Sequence, residues 1–458
     1  MWAGRRRLTF AGAGLTANKR FVCEKSPLLA SGVTNKWSWG NVQTHLTEWS
    51  GMEILFMKLN FGRLLRLASF VCFSGNLTAQ TDLPKLAAAN NAFAFKLLKQ
   101  LNADHPGGNL FVSPYSAATV LQMAANGAGG QTKQEMQEVL ETTGLAPAAL
   151  AAASQAARGI LNAKDTNLIL TTANALWYRQ GSSIKSGFLV ANQTVFSSTL
   201  MPLDFSNVPA AERLVNQWAS DQTRGRITGI ADGLITPATD LILANAIYFK
   251  GAWLDPFDQQ LTKPRSFHPA AGAAKRVPMM ELSQQFQYRQ GSGYQAVRLP
   301  YMGGDLAMYV FLPDPGSSPA RLGQIMNGDK WRRVTMPGFH EREGTVVLPK
   351  FKLEQTLELN SPLQSLGMKT AFRPKAADFS GMFSDAHFIS AVVQKAFVEV
   401  GETGTEAAAV TLVLSEAPSA VVMNPPPPFE LTVDRPFLFA IVDARSEMIL
   451  FLGVVNQL

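Results

Sequence analysis

Apolar positions just beyond residue 80 recur at the spacing of helices. Between residues 84 and 103, leucine and phenylalanine side chains fall on one face of a predicted helix. Ser113 followed by Pro114 is typical of a helix start, because the serine oxygen can cap the helix and proline tolerates its first turn. Thr132 and Glu135 have the spacing of a capping box, which predicts that another helix begins there.

Further along the chain the pattern changes from helical to strand-like. It predicts helices over 146–158 and 210–221, and strands over 168–170, 175–178, 241–249, 307–312, 345–348, 396–400 and 436–455. Helices come first and strands later, without regular alternation, which favours an α+β fold. Since no repeat and no Pro/Gly/Ser-rich linker divides it, residues 80–458 are predicted to form one domain.

One segment, residues 405–417, has an unusual alternating pattern. Its odd positions are all small or β-branched, and its even positions include two glutamates at the ends, Glu406 and Glu416. This is a strand pattern with one face slim enough to enter a crowded core. Glycines precede the segment, and Pro418 and a run of four prolines follow it. The pattern alone leaves open an alanine-rich linker, an ordinary hairpin strand, or a loop able to become a central strand.

The charge of the chain is concentrated at its beginning. Residues 1–79 contain ten basic and three acidic residues, which leaves 31 of each in residues 80–458. The formal net charge of +7 therefore lies entirely in the first 79 residues. Both cysteines, Cys23 and Cys72, lie there as well. Without that segment the chain is neutral and lacks thiols, which argues against nucleic-acid binding, disulfide scaffolds, a cysteine nucleophile and Cys-ligated zinc.

Residues 57–79 have the pattern of a secretory signal peptide. Lys58, Arg63 and Arg66 precede a short apolar stretch, and Ala79 is a small residue suited to cleavage. We expect a mature protein that is secreted or periplasmic, with no stable membrane insertion after signal cleavage. Residues 1–56, which show no clear periodicity, are interpreted as a mis-annotated or disordered extension. A buried amphipathic helix is the alternative interpretation of residues 57–79.

The residues offer no recognised catalytic or metal-binding signature. There is no G-x-S-x-G turn, no phosphate-binding loop and no H-E-x-x-H pair. The histidines beyond the signal are scattered, at His105, His268, His340 and His387. We therefore expect no enzyme activity, no metal and no cofactor. A hydrolase whose triad is assembled from distant residues is the alternative outside this interpretation.

Several segments, in order along the chain, resemble those of the serpins, a family of serine protease inhibitors. The matching segments are NLFVSPYS at 109–116, GAGGQT at 127–132, NALWY at 174–178, ANAIYFKGAWLDPF at 244–257, LPK at 348–350, VEVGETGTEAAA at 398–409, DRPFLFAIVD at 434–443 and FLGVVN at 451–456. The resemblance extends from about residue 84 to the end of the chain. It implies N-terminal helices packed on a large central β-sheet, further sheets, and an exposed reactive-centre loop at about 402–428.

The mechanism that this resemblance implies is suicide inhibition. A serine protease cleaves the exposed loop and forms an acyl-enzyme, and the loop then inserts as a strand into the central sheet, trapping the protease. We expect an inhibitory, secreted and monomeric member of prokaryotic origin. A non-inhibitory serpin that acts as a binding, carrier or chaperone-like protein is the alternative within the family.

The resemblance assigns roles to residues at three places. The reactive-loop hinge comprises Glu402, Gly404, Thr405, Glu406, Ala407, Ala408, Ala409 and Thr411. The entry point of the loop, called the breach, comprises Trp253, Lys350 and Glu402, the last two as an ion pair. The polar cluster under the opening strands, called the shutter, comprises Ser113, Ser116, Asn245 and Gln394. Since Gln394 replaces the family's usual histidine, we expect sheet opening without histidine-linked pH dependence.

The scissile bond is the least determined feature of the predicted loop. Counting from Gly404 by the family's usual loop length reaches Pro418, which is a poor residue for cleavage. Counting back from Pro436 shows that the loop is several residues longer than usual. The scissile-bond candidates are Pro418, Ser419, Ala420, Val421, Val422 and Met423. Because no Arg or Lys lies between Lys395 and Arg435, elastase-like or subtilisin-like targets are favoured over trypsin-like ones.

Overall fold

The computed structural model describes residues 82–162, 168–405 and 426–458. Its helices are α1 (82–104), α2 (Pro114–Ala125), α3 (Gly130–Val139), α4 (Pro147–Leu161), α5 (Ser186–Phe196), α6 (Val208–Gln222), α7 (Pro319–Ile325), α8 (Gly328–Lys330) and α9 (Asn360–Leu366). Most of the long helices precede residue 223 and strands dominate thereafter. The α+β class predicted from the hydrophobic pattern is confirmed.

The strands of the described residues form two sheets. They are β1 (Leu110–Val112), β2 (Leu168–Arg179), β3 (Thr199–Leu203), β4 (Leu241–Ala252), β5 (Lys263–Phe267), β6 (Lys275–Gly291), β7 (Tyr294–Pro300), β8 (Leu306–Pro313), β9 (His340–Pro349), β10 (Phe351–Glu358), β11 (Ile389–Gly401), β12 (Gly404–Thr405), β13 (Phe429–Thr432), β14 (Phe437–Asp443) and β15 (Ile449–Val455). Every stretch that was predicted as a strand lies in, or overlaps, one of them.

Within the described residues, the central sheet has the strand order β10-β11-β12-β4-β2-β3. Strand β12 is only two residues long and lies between the ends of β11 and β4. Below it, β11 and β4 pair directly and in parallel, from Ile389 opposite Leu241 to Phe397 opposite Tyr248. We call this directly paired stretch the seam. Its upper end is the end at β12, and its lower end is where β4 and β11 begin.

The second sheet has the order β1-β15-β14-β8-β7-β6-β9-β13 among the described strands, and β5 pairs with β6. Its first strand, β1, immediately precedes α2 in the chain, and its partner β15 ends three residues before the C-terminus. Strand β13, which directly follows the proline run, pairs in parallel with β9. This pairing holds the C-terminal end of the predicted loop on the second sheet.

The middle of the central sheet is covered on both faces. Helix α2 lies under it, and Val120 and Leu121 share a core with Leu241 and Leu243 of β4. Helix α6 covers the other face, where its tryptophan, Trp218, packs in a separate core. The strand residues of that second core are mostly alanines, at Ala173, Ala175, Ala244, Ala246 and Ala391. Small side chains allow a helix to approach the strands closely.

The Ser113–Pro114 helix start is confirmed, but the predicted capping box is wrong. Ser113 caps α2 and its side chain accepts a hydrogen bond from Ser116 N. Helix α3, however, begins at Gly130, so Thr132 and Glu135 lie inside it. Thr132 Oγ1 accepts from Asp378 N, at 2.9 Å. Glu135 accepts from the backbone of the turn that begins at Thr370. Because the helix starts earlier than predicted, the side chains of Thr132 and Glu135 bind the backbone of residues 370–378 and do not cap α3.

Candidate functional site

The hinge residues Gly404 and Thr405 turn back from β11 and enter the central sheet at its upper end. Thr405 pairs with Val400 of β11 on one side and with Gly251 of β4 on the other. Gly404 has φ +144, and a Cβ there would lie 2.2 Å from the carbonyl oxygen of Gly251. Glycine is therefore needed at this turn, because any side chain would collide with the backbone of β4.

Thr405 is completely buried, and its hydroxyl is hydrogen-bonded to Tyr301. Thr405 Oγ1 and Tyr301 Oη are 2.7 Å apart. Tyr301 stacks on Trp253, with ring centroids 4.5 Å apart and planes 14° from parallel. Burial raises the pKa of Tyr301, so its hydroxyl keeps its proton and can donate to Thr405. A hydroxyl of this size can be buried here with one hydrogen bond.

Trp253 binds the backbone of the residues that connect β11 to Thr405. Its indole Nε1 donates to the carbonyl oxygen of Gly401 at 2.9 Å, and its backbone N donates to the carbonyl oxygen of Thr403 at 3.0 Å. Phe257 N donates to the carbonyl oxygen of Glu402, also at 2.9 Å. These bonds fix the backbone of residues 401–403 against the segment that follows β4.

Glu402 accepts bonds from two side chains at this entry point. Lys350 Nζ lies 2.8 Å from Glu402 Oε2, and Thr262 Oγ1 donates to Glu402 Oε1 at 3.0 Å. Burial acts to raise the pKa of Glu402, but the bonds from Lys350, its own backbone and Thr262 outweigh it and lower the pKa. The carboxylate is thus held in its charged form. The lysine is 41% exposed, so the ion pair is partly in contact with water.

The four predicted shutter residues meet beneath the middle of the seam. Gln394 of β11 donates to Asn245 of β4, with Nε2 to Oδ1 at 2.8 Å, and these two residues are directly paired in the sheet. Gln394 also accepts from Ser113 N at 2.7 Å and donates to Ser113 O at 3.0 Å. Asn245 donates to Ser116 Oγ at 2.6 Å. All four residues are buried. The cluster ties both strands of the seam to α2 with groups that do not titrate.

At the lower end of the seam, charged groups join the starts of β4 and β11. Asp240, the residue before β4, accepts from His387 Nδ1 at 2.9 Å through Oδ1 and from Phe388 N at 2.8 Å through Oδ2. Its own backbone N donates to Ser390 Oγ at 2.8 Å. His387 and Asp240 are both buried. Three hydrogen bonds therefore cross the lower end from Asp240 alone.

The distal end of the predicted loop is anchored on the second sheet. Arg342 of β9 donates to the carbonyl oxygen of Pro427 through Nε at 3.2 Å and Nη2 at 2.8 Å. Two residues later, Phe429 stacks on Tyr288 with ring centroids 4.0 Å apart. The chain is held from Pro427 onward.

Some predicted site residues lie outside the described residues. These are the hinge residues Glu406, Ala407, Ala408, Ala409 and Thr411, and the scissile-bond candidates Pro418, Ser419, Ala420, Val421, Val422 and Met423. The structure brings together the breach residues Trp253, Lys350 and Glu402 with Gly404 and Thr405, and separately the shutter residues.

The structure also identifies contacts that the sequence did not reveal. Tyr301 and Thr262 bind hinge residues, and Asp240 pairs with His387, one of the four scattered histidines. Each lies in an unremarkable stretch of sequence, and its partner is more than 100 residues away. No cluster of metal-ligating side chains occurs in the described parts of the chain. The same parts contain no helix that is long and apolar enough to cross a membrane.

The family comparison agrees with this geometry. Residues 88–458 match the family model described as serpin (serine protease inhibitor). The leukocyte elastase inhibitor of Sus scrofa is 36% identical over 390 residues, which cover 82% of this chain and all of that protein.

Two solved structures have the same fold. Serpin48, a highly specific serpin of the insect Tenebrio molitor, has a TM-score of 0.71 at 30% identity, covering 82% of this chain and 98% of that one. Human thyroxine-binding globulin in complex with thyroxine has a TM-score of 0.72 at 28% identity, covering 82% of this chain and 99% of that one.

Proposed function

The chain belongs to the serpin family, and we propose that it inhibits serine proteases as a suicide substrate, through insertion of its cleaved loop between β4 and β11. The observation that carries this proposal is the position of Thr405. It already lies between the two strands, paired to both, with its side chain buried. The central sheet therefore admits the first inward-facing residue of the hinge at the upper end of the seam.

Continuing this register gives the length of the inserted strand. Thr405 is opposite Gly251, and each further loop residue would pair one residue lower on β4. Glu416 would then lie opposite Asp240, the residue just before β4 begins. The segment from Thr405 to Glu416 has no proline and no further glycine, which suits a central strand. The loop would fill the seam to its lower end before reaching Pro418.

The side chains of this segment suit the two faces that they would meet. Like Thr405, its odd-numbered residues would face the interior, on the side of the sheet where Phe249 packs with second-sheet residues and Leu243 with α2: Ala407, Ala409, Thr411, Val413 and Ser415. The charged residues Glu406 and Glu416 fall on the opposite face. A charge on the inward face would be buried without a partner and would cost several kcal/mol.

The protease would supply all of the catalytic chemistry. Its serine oxygen attacks the carbonyl carbon of the scissile peptide bond, the C–N bond breaks, and the serine proton is transferred to the departing amine. An ester then joins the protease to the N-terminal side of the loop. Insertion carries this ester towards the lower end of the seam before water can hydrolyse it. The inhibitor contributes no catalytic group, metal or cofactor.

The target that we propose is an elastase-like or subtilisin-like protease. Candidate residues before the scissile bond, from Ser419 to Met423, are small or aliphatic, which suits pockets that exclude long cationic side chains. The extended register favours these residues over Pro418, because the strand ends near Glu416 and leaves a short linker to the ester. We further propose a monomer that is secreted or periplasmic, on the basis of the signal pattern in residues 57–79.

The decisive experiment is incubation of the full chain with an elastase-type serine protease, followed by denaturing electrophoresis. We expect a covalent complex that resists SDS and a small C-terminal fragment, whose mass identifies the scissile bond. A protease inactivated by a serine-directed reagent is the control and should give no complex. Complete cleavage of the loop with fully active protease would contradict the proposal.

A non-inhibitory binding protein is the second candidate, because human thyroxine-binding globulin is similar over most of the chain. Heat distinguishes the two functions. After loop cleavage by any protease, an inhibitor of this type should melt far above the intact protein, because its sheet has gained a strand. A melting temperature unchanged by cleavage would favour the binding protein.

A further inference from the structure

The lower end of the seam holds a buried imidazole between two carboxylates. His387 Nδ1 lies 2.9 Å from Asp240 Oδ1, and Nε2 lies 2.9 Å from Asp385 Oδ2. The His387 side chain is 3% exposed and packs on the Phe383 ring, with centroids 4.1 Å apart. A carboxylate only accepts hydrogen bonds, so both ring nitrogens must carry protons to satisfy this geometry. The site is therefore built for the imidazolium form.

The surroundings of His387 include both signs of charge. Burial disfavours the charged ring, but the bonds and charges of Asp240 and Asp385 outweigh it, so the pKa of His387 is raised above its ordinary value. Arg179, at the end of β2, has Nε 3.7 Å from Asp240 Oδ1 and donates to the carbonyl oxygens of Pro237 and Thr239. Lys375 lines the open pocket of about 510 Å³ beside the pair.

The pair spans the two strands that must separate. Asp240 directly precedes β4, and His387 lies two residues before β11. Phe388 N and Ser390 Oγ on the β11 side also bind Asp240, so the aspartate is the common anchor of the lower end. A strand that arrived in the extended register would place Glu416 opposite Asp240. The pair must therefore rearrange if the inserted strand is to occupy the full length of the seam.

We propose that His387 and Asp240 form a proton-dependent clasp, which holds the lower end of the seam closed in acid and releases it as the pH rises. This inference rests on loop insertion as proposed above and adds a regulatory device to it. Gln394, in the middle of the seam, led us to expect sheet opening without histidine-linked pH dependence. His387 at the lower end reverses that expectation.

The direction of the pH effect follows from the two states of the sheet. The pKa of His387 is raised in the closed sheet, and separation of the strands would return it towards the ordinary value of 6.5. The clasp therefore stabilises the closed sheet fully below that ordinary value. Its contribution disappears as the pH rises through the higher pKa of the closed sheet. Each unit of pKa difference corresponds to about a tenfold change in the opening equilibrium.

A synthetic peptide can report sheet opening without any protease. The probe is an acetylated and amidated peptide with the sequence of residues 407–416 carrying Glu416→Gln, which has no titrating group. It is mixed with the intact full chain between pH 5.5 and 9. Its uptake is followed by native electrophoresis and by the rise in melting temperature. We expect uptake to be slowest at pH 5.5 and to accelerate about tenfold or more towards pH 9.

Two variants distinguish the clasp from other titrating groups. His387→Gln keeps a donor for Asp240 but cannot titrate, so its uptake rate should be flat over the same range. Asp385→Asn removes the exposed carboxylate and should move the transition to lower pH, without affecting Asp240. Because Asp385 is more than half exposed, this second variant should fold even if the first does not.

The outcomes separate this inference from the proposed function. If uptake by the wild type did not depend on pH, or if both variants kept the pH profile of the wild type, the clasp would be overturned and loop insertion would stand. Failure of every variant to take up the peptide at any pH would overturn loop insertion, and the clasp with it. A flat profile for His387→Gln beside a steep wild-type profile would support the clasp.

Discussion

The upper and lower ends of the seam between β4 and β11 are held by different chemistry. At the upper end, a neutral threonine is hydrogen-bonded to Tyr301, which stacks on Trp253, and the ion pair of Lys350 with Glu402 is partly exposed. At the lower end, buried charges join the strands through His387 and Asp240. The upper end is already occupied by part of the loop, whereas the lower end is closed.

This difference indicates that the two ends control different steps. Aromatic packing and a neutral hydrogen bond respond little to pH or salt, so the entry of the loop depends on size and shape. Buried charges depend on protonation, so completion of insertion should depend on pH. Between them, the amide–hydroxyl cluster around Gln394 ties both strands to α2 without a titrating group.

Thr405→Arg should have the largest effect, because it puts a charge where a completely buried hydroxyl now lies. Burying an unpaired guanidinium costs several kcal/mol, so insertion should slow more than loop cleavage does. The variant should be cleaved like the wild type while releasing active protease. The measurement is the number of moles of inhibitor consumed per mole of protease trapped.

The matched control for this variant is Glu406→Arg, one residue along and on the face predicted to be outward. It introduces the same side chain without burying it, so inhibition should persist. Equal stoichiometries for the wild type and Thr405→Arg would show that the upper end does not select loop residues by size and charge.

Gln394→Leu tests the middle of the seam and should have the next largest effect. It leaves buried polar groups of Ser113 and Asn245 without their partners, which costs about 1–3 kcal/mol for each group. We expect a lower midpoint of urea unfolding and faster spontaneous loop insertion. Gln394→His is the comparison variant, since an imidazole can retain some of these bonds. If both variants behaved like the wild type, the cluster would not be holding the strands together.

Tyr301→Phe removes one hydrogen bond at the upper end and leaves the aromatic stacking. The lost bond to Thr405 is worth about 1 kcal/mol. Amide hydrogen exchange at Gly404 and Thr405 should therefore accelerate about fivefold. Tyr288→Phe is the control, because that hydroxyl binds Gln290 and Gln295 instead. Equal acceleration in both variants would mean that the tyrosine hydroxyl does not hold the hinge.

The smallest effect is expected from Lys350→Met, since a partly exposed ion pair contributes about 0–1 kcal/mol. The pKa of Glu402 is lowered in the folded hinge. Its contribution is therefore present above the ordinary value of 4.5 and is lost as the pH falls through the lowered pKa. Acid should loosen the upper end while it tightens the lower one. Limited proteolysis of the hinge should show wild type and variant converging in acid; a constant difference would contradict this.

The sequence predicted the features that depend on local pattern. The helix start at Ser113, the strand at 241–249 and the α+β class follow from spacing and residue type, and the structure confirms them. The family resemblance also predicted two contacts between residues that are far apart in the sequence, Lys350 with Glu402 and Gln394 with Asn245. The inward direction predicted for Thr405 agrees with its complete burial.

The contacts that were missed depend on tertiary distance alone. Tyr301 and Thr405 are 104 residues apart, and His387 and Asp240 are 147 apart. Neither pair has a local spacing that would link its members. Thr132 and Glu135 show the opposite error. Their spacing fits a local capping box, but their side chains bind a segment more than 200 residues away. Pattern determines which elements form, and packing determines what their side chains contact.

The pairing of β1 with β15 has a consequence for how the molecule is made. Strands β14 and β15 lie between β1 and β8 in the second sheet, and Leu110 is opposite Val454. A chain that is still being synthesised cannot complete this sheet until β15 is available. Contacts of such long sequence separation form slowly. Because β4 and β11 both precede β13 in the chain, the central sheet can pair them before the distal end of the loop is anchored on β9, so the order of synthesis itself favours a closed seam.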